Sequence, residues 1–153
     1  MIKVHSLIAS AGGIGYAGKG GGTIAAVAYC FIWMLLPAAY VQNFWQVLAT
    51  AGLIIAGIWS SNIVDGIWGK DSNKVVIDEV AGMAITLLYV PQNVWYVIIS
   101  LVAFRCFDII KPLGIRSAEK LPKGWGVMAD DILAGIYALT VIQLWILVVH
   151  KSG

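Results

Sequence analysis

Charge is scarce in this sequence. Only 12% of its 153 residues are Asp, Glu, Lys or Arg, against 60% that are hydrophobic, and the formal net charge is +2. So weak a balance gives no ground for a nucleic-acid partner, which calls for a strongly basic face. Cysteine is nearly absent too. Cys30 and Cys106 form no CxxC pair, and each lies in an apolar run, as buried thiols do. Neither opens a Cys-x5-Arg phosphatase loop, because the residue six positions on is Leu36 in one case and Pro112 in the other. Thiol nucleophile chemistry is therefore disfavoured. His5 and His150, the two histidines, stand at opposite ends of the chain and make no site. Glycines interrupt the first 22 residues before a signal-type apolar core develops, so that segment is read as retained.

What the chain has in abundance is apolar sequence, with a mean hydropathy of +0.86. The expected organisation is one integral membrane domain over residues 1–153. Five apolar segments stand out, at about 23–41, 44–64, 75–90, 93–110 and 129–149. The first, second and fifth reach the roughly 20 residues that cross a bilayer; the third is short and should pack inside the bundle or stop shallow. The fold class expected is all-α: a polytopic membrane helix bundle of about five membrane helices. The seven Trp suit packing and the membrane interfaces.

Alternating these segments puts residues 1–22, 65–74 and 111–128 at one face. All eight acids and nine of the ten bases fall at or near it, and only Lys151 lies opposite. The positive-inside rule makes this face, and the N-terminus, cytoplasmic. The turns of the other face, Gln42-Asn43 and Pro91-Gln92-Asn93, read as plain connectors. Most charges of the first face, among them Asp65, Lys70, Asp71, Lys74, Glu119, Lys120 and Lys123, are what any solvated loop carries.

Two acidic pairs do not fit that description. Asp78-Glu79 lies in VVIDEVAG and Asp130-Asp131 in GVMADDILAG. An acid at the middle of a membrane helix costs about 2.5–3.5 kcal/mol, so these pairs need a shallow position or partners. Each is followed by a small residue, Gly82 or Gly135, about one turn further in, which would let two helices approach closely. Asp130-Asp131 could alternatively serve in the first turn of its helix, where acids are favoured. A third helix end, FRCFDIIKP, repeats Arg105, Asp108 and Lys111 every three residues before Pro112 stops the helix. Carboxylates crowded in this number call for a cation, and oxygen donors of this kind suit Mg²⁺ shared with a phosphate. Arg and Lys beside it would hold phosphate oxygens. Upstream, GKGGGT (18–23) places Lys19 and Thr23 in a glycine run that is either a flexible lead-in or a phosphate cradle. It is not a Walker-type loop, since no Gly-Lys-Ser/Thr closes it.

VVIDEVAG, FRCFDIIKP and GVMADDILAG, in this order and separated by apolar helices, resemble the phosphatidylglycerophosphatase A family over most of the chain. The resemblance implies a Mg²⁺-dependent lipid phosphatase of the bacterial inner membrane that converts phosphatidylglycerophosphate to phosphatidylglycerol. It implies that Asp78 and Glu79 match the family's DE pair, Arg105, Asp108, Lys111 and Pro112 its FRxFDxxKP run, and Asp130 and Asp131 its DD pair. Asp71 matches an acid that often precedes the DE motif. Gly22-Thr23 corresponds to a PGT segment, which is replaced here by a proline-free loop that adds Lys19. The expected metal ligands are Asp78, Glu79, Asp108, Asp130 and Asp131; Asp78, Glu79, Asp108 and Asp131 are the catalytic candidates, and Lys19, Thr23, Arg105 and Lys111 the phosphate-binding ones. The substrate would reach the site from membrane lipid. Two rivals are a small transporter or ion-relay subunit that uses the acids, and a non-catalytic scaffold in which they pair only with Arg105 and Lys111. A relay calls for charges deep in the helices or on both faces, and here they cluster at one.

Overall fold

The computed structural model describes residues 2–69, 72–112, 114–118, 120–122 and 124–151. Lys70, Asp71, Glu119 and Lys123 lie outside the described residues. Among those described, the chain is all-helical, as expected, with eight α-helices and no strand. They are α1 (Ile2–Ala9), α2 (Gly21–Leu35), α3 (Ala38–Val41), α4 (Phe44–Trp68), α5 (Ile77–Thr86), α6 (Val94–Ile110), α7 (Ile115–Ala118) and α8 (Gly124–Lys151), with a 3-10 turn at Ile14–Ala17.

The third apolar segment resolves as the centre of the bundle. Helix α5 has ten residues, about 15 Å at 1.5 Å per residue, too short to cross a bilayer. It is buried from Ala81 to Thr86 and packs against α2, α4, α6 and α8. Trp33, Met83, Leu87, Phe104 and Ile142 form the main core around it. A smaller cluster of Ile77, Ala81 and Met128 lies on the α4 side.

Two helices, Phe44–Trp68 and Gly124–Val149, are long and apolar enough to cross a membrane. Only 28% of either span's apolar window is buried, as suits candidate membrane spans. Phe31, Trp45, Ile55, Trp59, Trp95 and Val148 are each more than 60% exposed, an apolar surface that suits lipid. The expected full-length span at 23–41 is not formed. Helix α2 stops at Leu35, and Leu36 turns extended (φ −71°, ψ 150°) ahead of Pro37, whose ring disfavours helix in the residue before it.

Two further expectations change. The segment before α2 is not only a glycine-rich lead-in: α1 lies across α4, His5 Nδ1 is 3.3 Å from Ser60 Oγ, and the Ala9 carbonyl accepts a 2.9 Å bond from the Val76 amide. The uncharged turns are also more than connectors. Asn43 and Asn93 cap α4 and α6 by accepting from the Phe44 and Trp95 amides. Gln92 Nε2 donates to the carbonyls of Trp33, Met34 and Leu36 at the end of α2, where the Trp33 carbonyl also accepts from the Leu36 amide.

Candidate active site

The helix ends that carry the unusual residues converge. Helices α5 and α8 touch backbone to backbone: a Cβ on Gly135 would stand 2.5 Å from the Gly82 carbonyl oxygen, and one on Gly82 would stand 2.7 Å from the Asp131 carbonyl oxygen. Only glycine allows that approach, and it brings the two acidic pairs together. Asp78, Glu79 and Asp131 each place a carboxylate oxygen within 4.8 Å of the others, and so do Asp108, Asp130 and Asp131. Asp131 belongs to both groups, so the five acids form one continuous cluster.

Asp130 and Asp131 are the seventh and eighth residues of α8, which begins at Gly124. The first-turn role considered for them is therefore excluded. They are almost fully buried, at 8% and 3% exposure, and burial of charge demands compensation. Lys111 compensates one of them, its Nζ donating to Asp130 Oδ2 at 2.6 Å. That reach depends on how α6 ends. Lys111 takes a left-handed conformation (φ 50°), its amide still bonded to the Phe107 carbonyl, and Pro112 prevents another turn. Arg105 Nη1 lies 2.6 Å from Asp108 Oδ2, one helical turn on, as a close charge contact rather than an aligned hydrogen bond.

The glycine run closes the site from the other side. Gly18 (φ 78°) and Gly20 (φ 96°) adopt backbone conformations that side chains disfavour. Gly22 sits so close to the Glu79 carboxylate that a Cβ would overlap it. The loop and the helix ends enclose a cavity of about 540 Å³, lined by Lys19, Thr23, Asp78, Glu79, Arg105, Lys111 and Asp130 among others. All four expected phosphate-binding residues therefore face one cavity. Asp108 and Asp131 do not line it and stand behind its acidic wall. Ser72, Asn73, Gly126 and Val127 also line it, none of them among the expected site residues. Gly126 and Val127 open the GVMADDILAG motif, whereas no motif marks Ser72 and Asn73, and only the fold brings those two there.

The donor set fits a hard divalent cation. It is all oxygen, and two of its buried atoms, Glu79 Oε2 and Asp131 Oδ1, accept no hydrogen bond from the described residues. Buried carboxylate oxygens left in this way are open to a metal ion.

The family model for phosphatidylglycerophosphatase A matches residues 7–146. The chain belongs to this family. A Bacteroides thetaiotaomicron protein with the provisional name phosphatidylinositol-3-phosphatase is 40% identical over 139 residues, covering 85% of this chain and 84% of its own. The phosphatidylglycerophosphatase A of Escherichia coli K12 is 29% identical over 123 residues, covering 79% and 69%. That of Haemophilus influenzae is 44% identical over 82 residues, half of each chain. No solved structure matches the chain. Membership makes it a lipid phosphatase of the phosphatidylglycerophosphatase type, and its two long apolar helices suit association with a membrane.

Proposed function

We propose that the chain hydrolyses the terminal phosphomonoester of phosphatidylglycerophosphate, giving phosphatidylglycerol and phosphate, with Mg²⁺ and at the cytoplasmic face of a bacterial inner membrane. One observation carries the reading: five carboxylates from three helices share a cluster whose open side faces a cavity lined by Lys19, Arg105 and Lys111. A structural acid cluster needs no cavity, and a plain anion site needs no such concentration of acid.

Asp78, Glu79, Asp108, Asp130 and Asp131 are the residues that would hold the metal. When bound, Mg²⁺ neutralises phosphate charge and polarises the phosphoryl group. Lys19, Arg105, Lys111 and the backbone N–H groups at the start of α2 hold the phosphate oxygens and stabilise the charge that develops there. Arg105 and Lys111 are kept in place by Asp108 and Asp130. A carboxylate at the cavity wall orients the attacking water and takes its proton as the water oxygen bonds to phosphorus. The bond from phosphorus to the headgroup oxygen breaks, and that oxygen leaves as the alcohol once it takes up a proton from solvent, the carboxylate giving its own back to solvent. The acyl chains stay among the exposed apolar helix faces.

The Bacteroides relative's name widens the candidate substrates to a phosphoinositide, which is also a phosphomonoester on a polyol headgroup. The same site chemistry serves both. Phosphate release from short-chain phosphatidylglycerophosphate by the purified chain, with Mg²⁺ and with EDTA, tests the reading. Release that depends on Mg²⁺ and is lost in Glu79→Gln and Asp131→Asn is expected. Absence of release, or equal release in EDTA, overturns it.

A further inference from the structure

The cavity lining is chemically mixed: besides Lys19, Arg105, Lys111 and the acids, it takes in the uncharged Ser72 and Asn73 of the connection from α4 to α5. Lys74, next in sequence, turns away, its Nζ lying 5.8 Å from the Tyr16 ring centroid and 5.7 Å from that of Trp68. The Asn73 amide makes no hydrogen bond among the described residues, and Ser72 Oγ accepts only a 3.5 Å bond from the Lys74 amide. Their donors and acceptors are open to a ligand.

The cavity has room for more than a phosphate. About 540 Å³ lies within the roughly 300–1,000 Å³ of sites that enclose whole small molecules. With the phosphate among the cations, Ser72 and Asn73 remain in the lining to meet the atoms beyond its ester oxygen. Neutral amide and hydroxyl groups match free hydroxyls better than an ammonium or a second phosphate, which would seek opposite charge.

We propose that Ser72 and Asn73 select the headgroup by hydrogen-bonding the free hydroxyls of a polyol phosphomonoester, the chemistry shared by glycerol phosphate and inositol phosphate headgroups. The proposal rests on the phosphatase reading for where the phosphate sits, and it adds the specificity determinant.

The test compares short-chain phosphatidylglycerophosphate with its analogue in which 1,3-propanediol replaces the headgroup glycerol, so that only the hydroxyl is lost. A phosphatidylinositol-3-phosphate arm distinguishes the two polyols. Dissociation constants are measured by calorimetry with Ca²⁺ in place of Mg²⁺, and kcat/KM with Mg²⁺, for the unaltered chain, Asn73→Ala, Asn73→Ser and Ser72→Ala. The unaltered chain should prefer one of the polyol lipids over the analogue by about three- to tenfold, the range for one hydrogen bond. Asn73→Ala should bring the ratio near one, with Asn73→Ser restoring part of it. Equal affinities in the unaltered chain, binding of neither lipid, or a ratio unchanged in Asn73→Ala and Ser72→Ala overturns the assignment. The two readings fail separately. Turnover without a hydroxyl preference overturns headgroup selection alone, and a preference without turnover overturns hydrolysis alone.

Discussion

Replacing Gly135 by Ala tests the helix contact on which the site is built. The new Cβ would lie 2.5 Å from the Gly82 carbonyl oxygen, whereas ordinary contact begins at 3.4 Å, so α5 and α8 must separate by about 0.9 Å. The obstacle is backbone, and no side-chain rotation removes it. Inserting one methyl into such a contact costs about 1–3 kcal/mol. The catalytic cost is expected to be larger in proportion, since a shift of about 1 Å in a reacting group can lower the rate about 100-fold. Gly135 lies one turn from Asp131 and packs on the residue one turn from Asp78 and Glu79, so the separation moves the two acidic pairs apart. The assay is Mg²⁺-dependent phosphate release per folded molecule, alongside thermal unfolding in detergent. Gly52→Ala is the control, because a Cβ there meets nothing within 4 Å. Gly135→Ala should unfold several degrees lower and lose most of its turnover, with Gly52→Ala unaffected. Wild-type turnover in Gly135→Ala would refute the argument that this contact sets the acid geometry.

Lys111→Met removes the cation bonded at 2.6 Å to the buried Asp130 and one of the cavity's phosphate-binding groups. Phosphate release should fall at least 100-fold, about the effect of losing one oxyanion-stabilising donor; a fall under threefold would count against its role. Gln92→Ala removes the donor shared by three carbonyls at the end of α2, far along the helix from the cavity. It should lower stability by about 1–3 kcal/mol in equilibrium unfolding while leaving turnover per folded molecule within twofold.

Much of the site was legible in the sequence because acids are costly in apolar helices. Asp78-Glu79 and Asp130-Asp131 stood out for that reason, and Gly82 and Gly135, one turn further in, marked the contact that joins them. The spacing of Arg105, Asp108 and Lys111 likewise placed them on one flank of α6. Other features depend on what neighbouring segments do. Hydropathy runs straight through residues 23–41, yet Pro37 ends α2 early, and the composition of the run outweighed a single backbone constraint. The fifth apolar segment begins at about residue 129, whereas α8 begins five residues earlier, at Gly124. The helix starts at Gly124 against α4, where the Gly124 amide donates to Asn62 Oδ1 and a side chain would clash with the Ile58 carbonyl. The placing of Ser72 and Asn73 at the cavity has no local signature at all. Two ordinary loop residues reach the cavity through the tertiary fold.

The central claim is that carboxylates distant in sequence hold one divalent-cation site, and Mn²⁺ binding followed by electron paramagnetic resonance tests it most directly. The unaltered protein should bind Mn²⁺ and release it on addition of Mg²⁺, while a protein carrying both Glu79→Gln and Asp131→Asn, still folded by circular dichroism, should bind at least tenfold more weakly. Equal Mn²⁺ affinity in the two proteins would contradict the account.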